Sequence, residues 1–442
     1  MRQHKQTHTL IALCAMAALG GCAAGPDGVS RSPFSALGIG KAAPADPDAP
    51  ALSTETPDGT ESEVIASLLT RRSILPQGPY AQVSDAVLTA NSRAAEAELR
   101  AATLRAEAQS KNWLPTLGPQ VSLTSLGTIV TSMVVEQVLF DNGRKKAERA
   151  YAKADVEVAA VALAQDTNTR VQEALTLYLA AQKAEARAAV NASAMADMEH
   201  FAWIMDERVK GGVSDAVDRM VVQQKLNQMQ ADMASDQEAA AAARAELAAM
   251  SAGSLDGVSG ISALPGDLTA TPLAVVKAEA EATRSVEEAK AARAGFLPGL
   301  TAVGNVNKNG ADAGVTLQAD QGVGFGTGAA LAAADQQSAA AEARVGQVRE
   351  DAERSLRALE GELASLRRQQ EQTASLAAGA EENYRSFAAQ QKAGQRGVND
   401  VVGVFESAVR LRREAAALPF EVARVELKIA ALKGVLVDGD KI

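Results

Sequence analysis

The sequence specifies a mainly α protein with a small β part, built from two long antiparallel helical hairpins that repeat one plan. Three observations predict this. Only 14 prolines occur in 442 residues, and none lies between Pro119 and Pro265 or between Pro298 and Pro419. A proline in a helix interior costs roughly 3 kcal/mol, so those two gaps are where helices can run unbroken. The gaps are also rich in alanine, glutamate, glutamine, arginine and leucine, the stronger helix formers. The third observation is duplication. Gly-Val-Ser-Asp-Ala-Val at 212–217 is echoed by Gly-Val-Asn-Asp-Val-Val at 397–402, and Phe140 precedes Phe325 by the same interval as Gly212 precedes Gly397.

The long runs cover 142–210 and 327–393, broken at Gly211-Gly212 and again around Gly394 and Gly397. At about 1.5 Å per residue each makes one helix on the order of 100 Å long. A globular core would carry more leucine, isoleucine and aromatics than this chain, in which aromatics are 3%. Alanine-rich faces let helices approach closely, so an elongated bundle is expected.

The chain opens with Arg2 and Lys5 before an apolar run at 10–19, the layout of a secretory leader and too short to span a bilayer. The run ends Leu19-Gly20-Gly21-Cys22, which resembles the lipobox of bacterial lipoproteins. That resemblance implies a leader at 1–21 and an acylated, palmitate-bearing Cys22 as the first mature residue. Ala23, where an aspartate would imply retention at the inner membrane, implies the outer membrane. Residues 22–80 are rich in Pro, Gly, Ala, Ser and Asp and read as a flexible tether with a short helix at 63–70.

The first repeat, 81–251, starts with a helix at 84–111 that stops at Asn112-Trp113-Leu114-Pro115, because a residue before proline is biased away from helix. Residues 121–124 and 128–140 are β-branched and apolar with polar residues interspersed, two strands on either side of Gly127. After a linker at 252–270 the second repeat, 271–437, follows the same order. A helix at 272–293 stops at Gly295-Phe296-Leu297-Pro298, and strands at 300–306 and 313–319 flank the turn signal Asn307-Lys308-Asn309-Gly310. Pro419 should kink or divide the last helix, and 438–442 form a tail.

Several function classes are excluded by composition. A net charge of −10 gives no general attraction to nucleic acid. Of two cysteines and three histidines, the leader removes Cys14, His4 and His8. His200 and Cys22 remain, too few for a metal cluster or a histidine-paired nucleophile, so neither an enzyme nor a cofactor or metal site is expected. Gly322 to Gly328 lacks the lysine of a phosphate loop and reads as a strand-to-helix passage.

Four strands cannot close a barrel in lipid, where unpaired edges are not tolerated, whereas three chains would supply twelve. Helix, Leu-Pro, two strands, Leu139-Phe140-Asp141-Asn142-Gly143-Arg144, a long helix, a glycine break and a returning helix, all duplicated, resemble the TolC family of outer-membrane efflux and secretion channels. The second repeat departs at Phe325-Gly326-Thr327-Gly328, which lacks the aspartate and arginine. The resemblance implies a homotrimer with a twelve-stranded barrel in outer-membrane lipid and a helical barrel across the periplasm. It also implies a periplasmic adaptor and an inner-membrane pump or ABC transporter as partners. A non-pore coiled-coil scaffold lipoprotein is the alternative, and the β-prone segments are what it does not need.

By the same resemblance, Gly211, Gly212, Val213, Ser214, Gly394, Gly397, Val398 and Asn399 form hairpin tips that meet the adaptor. Glycine also suits the positive φ that ends a helix, and Ser214 or Asn399 can cap the next, so caps and docking are both open. Asp215 and Asp400 occupy matching places in the two motifs, with Asp218 close by. They either ring a closed aperture or serve as first-turn acids facing helix dipoles.

Overall fold

The computed structural model describes residues 52–54, 61–90, 94–123, 129–265, 269–307, 310–322 and 324–442. The leader, Cys22, most of the tether, Gly127 and the Lys308-Asn309 turn lie outside them.

The elements in order are α1 (Glu63–Leu69), α2 (Pro79–Thr89), α3 (Ala94–Ser110), β1 (Thr116–Leu123), β2 (Ile129–Phe140), α4 (Arg144–Lys210), α5 (Ala216–Met250), α6 (Leu273–Gly295), β3 (Gly299–Asn307), β4 (Gly310–Gln318), α7 (Thr327–Lys392) and α8 (Val398–Leu432). The 67 residues of α4 and 66 of α7 are the two long helices the proline gaps predict. α4 is the axis, packed against α3, α5, α6 and α8, while α7 packs against α6 and α8. Burial follows that order. Val161, Leu163, Val171 and Leu175 are among many buried side chains of α4, whereas α7 buries only Ala352, Thr373 and Ala377.

Two apolar clusters hold the helices. The mid-length cluster joins Ile65, Leu68, Tyr80 and Val83 to Leu163 and Leu175 of α4 and to Leu427 and Leu436. Nearer the α4–α5 turn, Met198, Phe201, Met205 and Val222 pack against Val401, Val402 and Phe405 of α8. Burying each such side chain is worth about 1.5–3 kcal/mol. Edge contacts add to the second cluster, with the rings of Phe201 and Phe405 centred 5.7 Å apart.

Four sequence expectations are corrected. The single helix at 84–111 is two helices, because α2 ends at Ala90, where Arg170 donates to the carbonyls of Val87 and Ala90, which a continuing helix would have used itself. The tether reading fails for 61–80. Ser62 Oγ caps α1 and donates to Glu157 Oε1 of α4 at 2.6 Å, and Ile74 N donates to Val435 O at 3.0 Å. Overall composition hid the Ile65, Leu68 and Tyr80 that enter the core. The tail 438–442 is likewise folded, with Gly439 N bonded to Arg71 O, a 3₁₀ turn at Gly439–Lys441 and Ile442 buried. Finally, α8 is not divided at Pro419, since Leu418 and Val422 on either side are buried and hold the chain in the helix.

Candidate functional site

The four strands pair antiparallel in the order β1-β2-β3-β4. Paired residues share a face and successive residues alternate, so the register assigns both surfaces of the sheet. One surface carries Leu117 and Val121, Met133 and Val135, Leu300, Ala302 and Val306, then Ala311, Ala313, Val315 and Leu317. The other is mainly polar, with Thr116 and Gln120, Ser132 and Glu136, Thr301 and Asn305, then Asp312, Thr316 and Gln318, and with Val134, Val138 and Val303 among them. Thr131 and Gln137 are the polar residues on the apolar surface, and the Gln137 amide donates to Trp113 O at 2.8 Å. A register shift between Val138 and Phe140 sets Phe140 opposite Leu300. Among the described residues the outer edges of β1 and β4 have no partner strand.

Where strands meet helices the apolar residues are large and bare. Trp113 before β1, Phe140 at the end of β2, Leu297 before β3 and Phe325 after β4 are all exposed. Trp113 and Phe296 are the aromatic residues that flag this boundary in the sequence. Phe140 and Phe325 belong with them, and their matching positions in the repeat were the available signal.

At the other end of α4 the two turns close by the same geometry. Gly212 has φ 70° and Gly394 φ 75°, each directly after the last helical residues. Val213 N reaches Arg208 O at 2.8 Å and Gln395 N reaches Gln390 O at 2.9 Å, which satisfies carbonyls left over at the helix ends. Gly211 is the C-cap of α4 with ordinary helical φ, and its counterpart in the second turn is Ala393. Asp215 is the N-cap of α5, accepting from Val217 N and Asp218 N at 2.9 and 3.0 Å, and Gly397 is the N-cap of α8.

The repeats therefore superpose three positions away from where their motifs align. Gly212 matches Gly394 rather than Gly397, and Asp400 matches Asp218 rather than Asp215. Neither Ser214 nor Asn399 caps a helix: Ser214 accepts from Arg208 Nε at 3.2 Å, and Asn399 lies inside α8. Val213 is exposed, whereas Val398 is buried at 3%. Lys210 donates to Asp206 and Glu207 at 2.7 and 2.9 Å, which pushes its ammonium up to about 12 and holds the Asp206 carboxyl below its ordinary range.

No family model and no curated protein matches the sequence. Solved structures do match. The outer membrane protein VceC of Vibrio cholerae is similar with a TM-score of 0.69 at 14% identity, over 81% of this chain and 97% of that one. The Campylobacter jejuni CmeC outer membrane channel gives 0.68 at 10% identity, over 81% and 86%. CusC, a protein described as undergoing transmembrane channel formation, gives 0.70 at 15% identity, over 81% and 96%. The chain has the TolC-like outer-membrane channel fold.

Within this TolC-like fold a polar seam joins the returning helices of the two hairpins. Asn399 Nδ2 of α8 donates to Asp218 Oδ1 of α5 at 2.6 Å, and Lys225 pairs with Glu406. Further along, Arg413 spans Asp232 and Asp236 at 2.8 and 2.6 Å, with Arg187 of α4 3.5 Å from Asp236. The Arg413 and Asp236 side chains are 15% and 8% exposed, so removing either partner would strand a buried charge, which a surface pair does not do. Among the described residues no group of three or more His, Cys, Asp or Glu side chains is placed to hold a metal ion.

Proposed function

We propose that the protein is a passive exit duct in the outer membrane, a homotrimer whose sheet is one third of a β-barrel. The observation that carries this is the two-faced sheet with both edges open. An apolar face suits lipid, a polar face suits a water-filled lumen, and open edges are not tolerated in a bilayer. Two copies would supply eight strands, a barrel that side chains fill, whereas three supply twelve and leave a lumen. The bare flank of α7 supports the same assembly, since a neighbouring copy would cover it. A coiled-coil scaffold has no use for such a sheet. The test is conductance in planar bilayers by protein extracted from membranes in detergent, with cross-linking to count chains. Trimers with discrete conductance steps support the duct, and a monomer released without detergent overturns it.

Three finer readings follow from this one. Cys22 is acylated and anchors the chain to outer-membrane lipid, and mass spectrometry of the mature N-terminal peptide decides it. The turns at Gly211, Gly212, Val213 and Ser214 and at Gly394, Gly397, Val398 and Asn399 face a periplasmic adaptor that links the duct to an inner-membrane pump. Val213 is the exposed apolar residue among them, so Val213→Asp should abolish adaptor-dependent export while trimers persist; intact export would move docking elsewhere. Asp215, Asp218 and Asp400 from three chains gather carboxylates around the narrow end.

A further inference from the structure

We infer that the groove between the start of α4 and the end of α6 holds the phosphate headgroup of an anionic phospholipid, an inference that rests on the membrane reading above. The groove is about 550 Å³. Its floor is small, made by Ala147, Ala150 and Ala294, and its walls bring Lys146, Lys290 and Arg293 together against one carboxylate, Glu287. That local excess of positive charge stands out in a chain whose net charge is −10.

Two of the three cations are little engaged by the protein. Lys146 makes no ion pair among the described residues. Arg293 meets Asp335 of α7 only at 3.4 Å, with both side chains more than 60% exposed, a contact of little worth. Lys290 is held by Glu287 at 2.6 Å, three positions away on the same helix. The rim is fixed, because Asn142 Nδ2 donates to Pro298 O at 3.0 Å and so ties the start of α4 to the strand that follows α6.

The position of the groove chooses the ligand. Exposed Leu297 lines its edge beside β3, and Trp113, Phe140 and Phe325 mark the same level of the sheet. Apolar surface on the strand side and cations on the helix side match the order of acyl chain and phosphate in a lipid leaflet. Bare Lys and Arg next to a membrane each contribute about 1 kcal/mol toward anionic headgroups.

The test counts lipid on detergent-purified protein by native mass spectrometry after incubation with phosphatidylglycerol, or with phosphatidylcholine in a parallel arm. The wild type should retain phosphatidylglycerol in preference to phosphatidylcholine, and excess inorganic phosphate should not displace it. The triple variant Lys146→Gln, Lys290→Gln, Arg293→Gln should lower retention at least about tenfold. The charge-preserving set Lys146→Arg, Lys290→Arg, Arg293→Lys should keep it, which separates charge from misfolding. Equal retention by the glutamine variant, equal retention of both lipids, or displacement by inorganic phosphate overturns the lipid site. Conductance is measured on the same samples. If it persists while lipid retention is insensitive to the groove, only this inference fails; if the wild type neither integrates nor conducts, the duct reading fails and the lipid site falls with it.

Discussion

Asn399 donates a 2.6 Å hydrogen bond to Asp218, so the helix leaving the second turn is fastened to the helix leaving the first. Among the polar links between α5 and α8 this one lies nearest the turns, with Lys225–Glu406 and the Arg413 contacts behind it. Asn399→Ala removes the donor while Asp218 stays half-buried and reachable by water, so the loss should be local and about 1 kcal/mol. Amide exchange at 401–405 should then accelerate roughly fivefold with the global unfolding midpoint unchanged. Exchange as slow as in the parent would mean the bond contributes nothing.

Arg413 offers a larger effect because its partner is buried. Arg413→Ala leaves Asp236 without its nearest cation, with only Arg187 at 3.5 Å to compensate. Stranding one partner of a buried pair costs about 3–5 kcal/mol, and the lower end is expected here given Arg187. Replacing both, Arg413→Met with Asp236→Leu, should recover most of that loss in urea unfolding. A double variant no more stable than Arg413→Ala would show that the geometry of α8, rather than the stranded charge, was at stake.

Gly434 and Gly361 predict opposite responses to the same substitution. Gly434 has φ 64°, and a Cβ built there would lie 2.3 Å from Leu273 Cδ1. Gly434→Ala should therefore destabilise by several kcal/mol, and adding Leu273→Ala should relieve the clash but not the roughly 1 kcal/mol strain of positive φ. Gly361, inside α7, has nothing within 4 Å of such a Cβ. Gly361→Ala should stabilise by about 0.5–1 kcal/mol through helix propensity. Thermal midpoints of the three variants check both signs.

Much of this fold is written in single residue types. The absence of proline from 120–264 and 299–418 located α4 and α7, and Leu-Pro pairs located the ends of the helices before the strands, although β1 starts at Thr116 rather than at the expected 121. Other features depend on partners distant in the chain. The end of α2 depends on Arg170, 80 positions beyond Ala90, and the packing of α1 on Glu157 of α4. The apolar face of β4 is built from Ala311, Ala313, Val315 and Leu317, and only its pairing with β3 shows that these four line up with Val306, Gly304, Ala302 and Leu300. The repeat misled at the turns. Gly-Val-Ser-Asp and Gly-Val-Asn-Asp align as strings, but positive φ falls on Gly212 and Gly394, nearly one helical turn out of step with that alignment.

Val315 and Thr316 are neighbours in β4 on opposite faces of the sheet. Val315→Arg places a charge on the apolar face, at a cost of roughly 2–4 kcal/mol if that site sits near the bilayer midplane. The variant should fail to enter the membrane fraction. Thr316→Arg faces the polar side, so it should insert normally and shift conductance toward anions. Two variants that fractionate alike would remove the basis for assigning lipid and lumen to these faces.

The three turn aspartates divide by geometry into a cap and a pair. Asp215 spends one carboxylate oxygen on Val217 N and Asp218 N, and asparagine caps a helix about as well as aspartate. Asp215→Asn should leave stability within about 0.5 kcal/mol of the parent and leave conductance unchanged. Asp218 and Asp400 hold matching places three residues past their caps, yet differ in their contacts. Asp218 is held by Asn399, while Asp400 is exposed. In a trimer the unengaged Asp400 carboxylates are the ones able to meet a passing cation, since like charges gathered at a constriction attract counter-ions. Asp400→Asn in reconstituted trimers should therefore lower cation selectivity and weaken divalent-ion block, with Asp218→Asn acting instead on the link to α8. If Asp400→Asn leaves selectivity and block as in the parent, its carboxylate serves only the dipole of α8, a contribution of about 0.3–1 kcal/mol, and the aperture lies elsewhere along the duct.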